Sequence, residues 1–194
     1  MERALEVMIA RLFQLADQNE ICEKGWVHLR VLQERFLNGE PTAYNDIFEF
    51  LRENVAWVFG KRQITFKDLR SWFTDEELAN QKIYCNMEDI KGNNDFAILF
   101  NSSGYFTGHS RVYCFGESSI RAFDQCFVTS YDHSIVAAKD CMVFGFNNST
   151  ITMNGYGKVE AWDQCNVSGT GYSYLIISDD VFQVHTEGVV VRQR

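Results

Sequence analysis

From Ser110 to about Ile177, apolar and polar positions alternate inside a recurring eight-residue unit, x-small-x-Val-x-small-aromatic-Asp/Gly. The units read SRVYCFG, SSIRAFD, CFVTSYD, SIVAAKD, CMVFGFN, STITMNG, GKVEAWD, CNVSGTG and SYLIISD. One variable residue precedes each, except where Asp140 runs directly into Cys141. The alternation predicts a short strand whose small, Val and small positions share one side. That side is the interior, because the opposite phase buries Arg111, Arg121, Lys158 and Glu160 without evident partners. Each unit closes on Asp, Asn or Gly, the residue types that accept a left-handed backbone at a tight corner.

Such a strand cannot bury its apolar side alone, and stacked coils are the solution, giving a parallel β-solenoid. Phe115, Tyr131, Phe146 and Trp162 recur at the seventh position of every second unit, at spacings of 16, 15 and 16 residues. Two octads per coil follow, a flattened two-sided solenoid; a three-sided coil ranks second because it sets Phe115 over Lys139. The repeat resembles the octapeptide-repeat β-solenoid proteins of bacteria and phages, in which runs of the form Ser-x-Val-x-Ala-x-Asp are common. That resemblance implies a shape and carries no catalytic motif.

The remaining segments predict a separate body. Leu5, Met8, Ile9, Leu12, Phe13 and Leu15 keep a helical period over about residues 2–17. Cys22, Leu29, Leu32 and Phe36 do so up to a stop at Asn38 and Gly39, and Tyr44, Ile47, Phe48, Leu51 and Val55 mark a third helix from Ala43 to Val58. Thr65 with Asp68, and Thr74 with Glu77, resemble capping boxes and predict two short helices before residue 81. KIYCNM and FAILF read as strands that begin the solenoid, separated by a polar turn at Lys91 to Asn94. The fold class expected is α+β: a helical domain over 1–81, then a solenoid over 82–194 with regular octads in 109–179. The helical domain is a candidate cover for one open end of the solenoid. At the other end VFQVHTEGVVVRQR loses the octad register, and Arg192 and Arg194 discourage further stacking.

The two outward faces differ chemically. The odd units present Tyr113, Phe115, Phe127, Tyr131, Met142, Phe144, Phe146, Trp162, Tyr174 and Ile176, whereas the even units present mostly small polar residues such as Ser119, Thr150, Thr152, Asn166 and Ser168. Five stacked odd strands make an apolar patch about 20 Å long, large for a surface left in water. Its covering is expected to be the N-terminal helices, a second copy, or a foreign protein; aromatics and Met are what interface cores favour.

Composition narrows the classes. The chain has 194 residues, 46% hydrophobic content and one proline, so it is not disordered. The segment MERALEVMIARLFQLADQ mixes charge among its apolar positions and reads as neither secretory signal nor membrane span. A net charge of −8, acidic on both sides of residue 109, argues against nucleic acid as a partner. Corner aspartates are too sparse for a DNA mimic. Cys114, Cys126, Cys141 and Cys165 occupy inward small slots and fit no zinc spacing, which points to reduced thiols in a cytoplasm. His28, His109, His133 and His185 are scattered, and His133 beside Asp132 or Asp140 is a chance product of neighbouring corners. No catalytic residue, metal site or cofactor is expected.

The expectation is therefore a non-enzymatic protein-binding module acting through the odd face. Its most concrete form is a phage-type inhibitor or adaptor docking on a host protein, for instance a defence nuclease in the manner of anti-CRISPR proteins. A homodimer is compatible with this. The alternatives are a self-assembling structural protein and, behind it, a carbohydrate-active β-helix enzyme.

Overall fold

The computed structural model describes residues 2–18, 21–40, 43–185 and 188–193, with the side chains of 2–5, 43–44 and 183–185 outside the description. Arg194 and the side chains of Leu5, Tyr44 and His185, named above, therefore lie outside the described residues. Two compact units divide the chain between Glu77 and Leu78.

The first unit is helical: α1 (Glu2–Gln18), α2 (Glu23–Leu37), α3 (Ala43–Glu53), a π-helical turn (Ala56–Gly60) and α4 (Phe66–Trp72), with α5 (Asp75–Asn80) at the division. Met8, Leu12, Leu29, Leu32, Ile47, Phe48, Leu51 and Leu69 are fully or almost fully buried, as their period requires. Both capping boxes form. Asp68 N–H donates to Thr65 Oγ1 at 3.3 Å while Thr65 N–H donates to Asp68 Oδ2 at 2.8 Å, and Thr74 and Glu77 repeat this at 3.2 and 2.8 Å. The single helix expected from Ala43 to Val58 is instead broken at Asn54. There the side-chain amide of Asn54 donates to the Phe50 carbonyl at 2.9 Å, competing with the helical ladder. The wider turn that follows buries three successive apolar residues, Trp57, Val58 and Phe59, which a regular helix would spread around its circumference.

The second unit is a parallel β-solenoid with two strands per coil. One sheet stacks β1 (Ile83–Cys85), β3 (Phe96–Phe100), β5 (Arg111–Phe115), β7 (Phe127–Ser130), β9 (Met142–Gly145), β11 (Lys158–Ala161), β13 (Tyr174–Ile177) and β15 (Val190–Gln193). The other stacks β2 (Ile90–Asn93), β4 (Ser103–Thr107), β6 (Ser119–Phe123), β8 (Ile135–Lys139), β10 (Thr150–Asn154), β12 (Asn166–Gly169) and β14 (Phe182–His185). Like residues stack: Val112, Val128, Val143, Val159 and Leu175 in one sheet, Ile120, Val136, Ile151 and Val167 in the other, all at most 1% exposed.

The repeat's small and corner positions have separate duties. A strand that turns a corner leaves a carbonyl facing inward, and the next small residue answers it. The hydroxyls of Ser110, Ser118 and Ser149 each donate at 2.7 Å to the carbonyl three residues earlier, and the Cys126 thiol does so at 3.0 Å. The closing Asp or Asn takes a left-handed backbone, at φ near 60° for Asp132, Asp140, Asn147 and Asp163. Its side chain then accepts an N–H from the corner of a neighbouring coil, as Asp132 does from Gly116 at 3.1 Å, Asp140 from Tyr156 at 2.7 Å and Asp163 from Asn147 at 3.0 Å.

The solenoid extends to both sides of the regular octads. The segment expected to be a polar turn, Lys91 to Asn94, is strand β2 up to Asn93, and only Asn94 turns the corner. Phe106, 1% exposed, obscures the repeat here, because it fills space that small side chains share elsewhere. A Cβ on Gly92 would come within 2.6 Å of the Phe106 ring and one on Gly104 within 2.7 Å, so both inward slots are glycine.

Placing a charge at the fully enclosed Val136 should abolish the solenoid: for Val136→Asp, circular dichroism and thermal melting are expected to show no cooperative native state. Ser118→Ala keeps the shape but removes the hydroxyl bonds to the Phe115 and Leu99 carbonyls and the acceptor of the buried Ser102 N–H, and is expected to lower stability by about 1–3 kcal/mol in denaturant titration.

Candidate protein-docking face

In-register stacking turns the outward positions of the odd sheet into columns running along the solenoid axis. Phe100, Phe115, Tyr131, Phe146 and Trp162 form one column of rings with successive centroids 5.1, 4.7, 5.0 and 4.8 Å apart, the last three contacts within 13° of parallel. These separations are the strand spacing itself, so the backbone sets the stack. Phe127 and Phe144 pack diagonally at 5.1 Å, and Phe144 reaches Trp162 at 6.1 Å. The Arg111 guanidinium lies over Tyr113 at 5.3 Å and Phe127 at 5.7 Å.

Exposure across this face is graded. Of the ten residues expected on this face, Tyr113, Phe115, Tyr131 and Ile176 are less than a tenth exposed. The ring stacks account for part of this in Phe115 and Tyr131, whose two ring faces meet their column neighbours. Burial also pushes the Tyr131 hydroxyl up to about 12. Phe144, Phe146 and Trp162 are partly covered. The open margin is the column nearest the strand starts: Arg111 and Met142 are exposed, Met142 to 38%, while Phe127, Lys158 and Tyr174 are half-buried. Lys158 and Glu160 form an ion pair at 2.6 Å on this face, with the Glu160 side chain nearly buried.

The Asp132 and Asp140 carboxylates beside exposed His133 accept backbone N–H groups of the corner ladder. Among the described residues no three His, Cys, Asp or Glu side chains gather in a metal-holding group, and no helix is long and apolar enough to cross a membrane. All six cysteines are free thiols, five of them buried and Cys22 exposed. Burial pushes Cys114 up to about 12 and Cys165 to about 11. Cys126 and Cys141 lie side by side on adjacent rungs, where the hydrogen bond from Cys141 pulls Cys126 down to about 7 and Cys126 in turn drives Cys141 up.

Sequence reasoning missed an opposite-face group at the first coils, where Asp89, Lys91, Ser103, Tyr105, Ser119 and Arg121 line one depression. The signal was present: counting the octad back from Ser110 to Ser102 puts Tyr105 outward on the rung before Arg121. No protein-family model, curated protein or solved structure matches the chain.

The thiol environments give a direct check. A thiol-reactive disulfide reagent at pH 8 is expected to modify one cysteine rapidly in the native protein and six after unfolding, and Cys22→Ser should remove the rapid reaction. Rapid modification of a second thiol in native Cys22→Ser would show that the solenoid interior is open.

Proposed function

We propose that this chain is a non-enzymatic protein-binding module of the octapeptide-repeat solenoid type, whose partner docks on the open margin of the odd face. The observation that carries the reading is the strip of Arg111, Phe127, Met142, Lys158 and Tyr174, rung by rung beside the ring columns. Its backing is rigid, so side-chain ordering on binding costs little. It offers thioether, aromatic and guanidinium groups together, the residue types enriched at interface centres. In its most concrete form the module is a phage-type inhibitor or adaptor acting in the cytoplasm on a host protein such as a defence nuclease. The resemblance of the repeat to bacterial and phage solenoid proteins supports that form.

A second reading, self-assembly, is favoured by the last coil. Strands β14 and β15 each end their sheet with one side unpaired, and Phe182 and Val190 are 74% and 59% exposed. Such an edge is a template for another copy.

Capture from bacterial lysate with wild type, Met142→Asp and the opposite-face control Ile135→Asp separates these readings, each protein first being checked by melting and light scattering. Docking through the strip predicts one host protein held by wild type and by Ile135→Asp, and at least tenfold less by Met142→Asp. Equal recovery by all three overturns the strip. A wild-type oligomer that Val190→Asp converts to a monomer, with no host protein recovered, establishes self-assembly instead.

A further inference from the structure

The even face, mostly small and polar, carries at its first coils a depression of about 330 Å³. Its floor is the exposed ring of Tyr105, 45% accessible and held by stacking on Phe123 at 5.1 Å and 29°. The parallel register sets Lys91 on the rung before Tyr105 and Arg121 on the rung after, so the backbones that carry the two cations lie about 9.6 Å apart, two strand spacings, on either side of it. Ser103 and Ser119 add hydroxyls along one margin, and Asp89 a carboxylate.

Several cations of the solenoid are engaged by neighbours, whereas those of the depression, like Lys139 and Arg192, are not engaged by any described residue. Lys82 is paired with Asp95 at 2.9 Å, Lys158 with Glu160, and Arg111 lies over two rings. Lys91, Arg121 and Asp89 form no ion pair with any described residue, and the Ser119 hydroxyl has no hydrogen-bond partner among them. Two unpaired cations beside an open aromatic face, in a chain of net charge −8, are a local reversal of the protein's field.

We propose that this depression binds a small ring-bearing anion, a compound carrying one phosphate or carboxylate and a ring face that packs on an aromatic side chain. The ring lies on Tyr105, the anionic group meets the planar donor fork of Arg121 with Lys91 as a second point charge, and Asp89 with the two serines takes hydroxyl or amino donors of the ligand. The volume accommodates a ring and its charged group. A nucleoside monophosphate and a hexuronate share this chemistry; the first supplies a base for stacking, the second a pyranose face.

The test is titration of the full chain with adenosine monophosphate, glucuronate, adenosine and inorganic phosphate, followed by amide chemical shifts and calorimetry, for wild type, Tyr105→Ala, Arg121→Ala and Lys91→Ala. These side chains are exposed, so each variant is expected to melt within about 2 °C of wild type. The site predicts submillimolar binding of adenosine monophosphate or glucuronate with shifts centred on residues 103–105 and 119–121. Whichever binds identifies the source. Adenosine and phosphate alone should bind at least tenfold more weakly, and Arg121→Ala and Tyr105→Ala should each cost about tenfold, the loss of one charge-assisted bond or one stacking face. No binding of either ring anion at 10 mM of that probe, on the order of the weakest useful affinity, overturns the proposal. So does binding that all three variants leave unchanged.

Discussion

The hydrogen bond from a small inward side chain to the carbonyl three residues back is the interaction on which the solenoid rests. Without it the inward corner carbonyls would each lose a buried hydrogen bond, about 0.5–1.5 kcal/mol apiece, although those of Thr107 and Phe115 also accept an N–H from the coil beside them. Ser110, Ser118, Ser149 and Ser173 remove that cost with a group small enough to leave the two sheets in contact. Cysteine substitutes at Cys126 because a thiol reaches the same carbonyl. Once the corners are satisfied internally, the Val and Ile columns close over one another and the outward positions are relieved of any structural duty.

Legibility of the sequence followed this division of labour. Where slots hold Ser, Val and Ala, phase, coil size and inward residues could all be read, since the 16, 15 and 16 residue steps admit one stacking. Where Phe106 displaces two inward side chains, leaving Gly92 and Gly104, the same architecture is written in different letters and β2 reads as a turn. The helix break at Asn54 was illegible for a comparable reason: an amide that caps a carbonyl inside an apolar period leaves no trace in the period. On the candidate face, residue types were legible and exposure was not. Nothing in the octad distinguishes Tyr113, at 5% exposure, from Met142, at 38%, because each is simply an outward position.

Charge on the solenoid shows a related economy. Most carboxylates at the corners are spent on backbone N–H groups, so the acidic composition of the chain overstates what its surface offers a partner. Some positive groups, Lys82, Lys158 and Arg111, are settled by neighbours or by rings, while Lys91, Arg121, Lys139 and Arg192 have no such partner among the described residues. A face is thus defined less by its residue list than by which of its groups the scaffold has already used.

Because each corner is answered within its own coil or by the one beside it, no contact in the core spans the length of the body. Cohesion is therefore local, as in a stack of tiles: each regular coil is held by its two neighbours, and damage to one is felt first by the coils that touch it. The first coils, where Phe106 is matched to Gly92 and Gly104, are the place where neighbours must be chosen together.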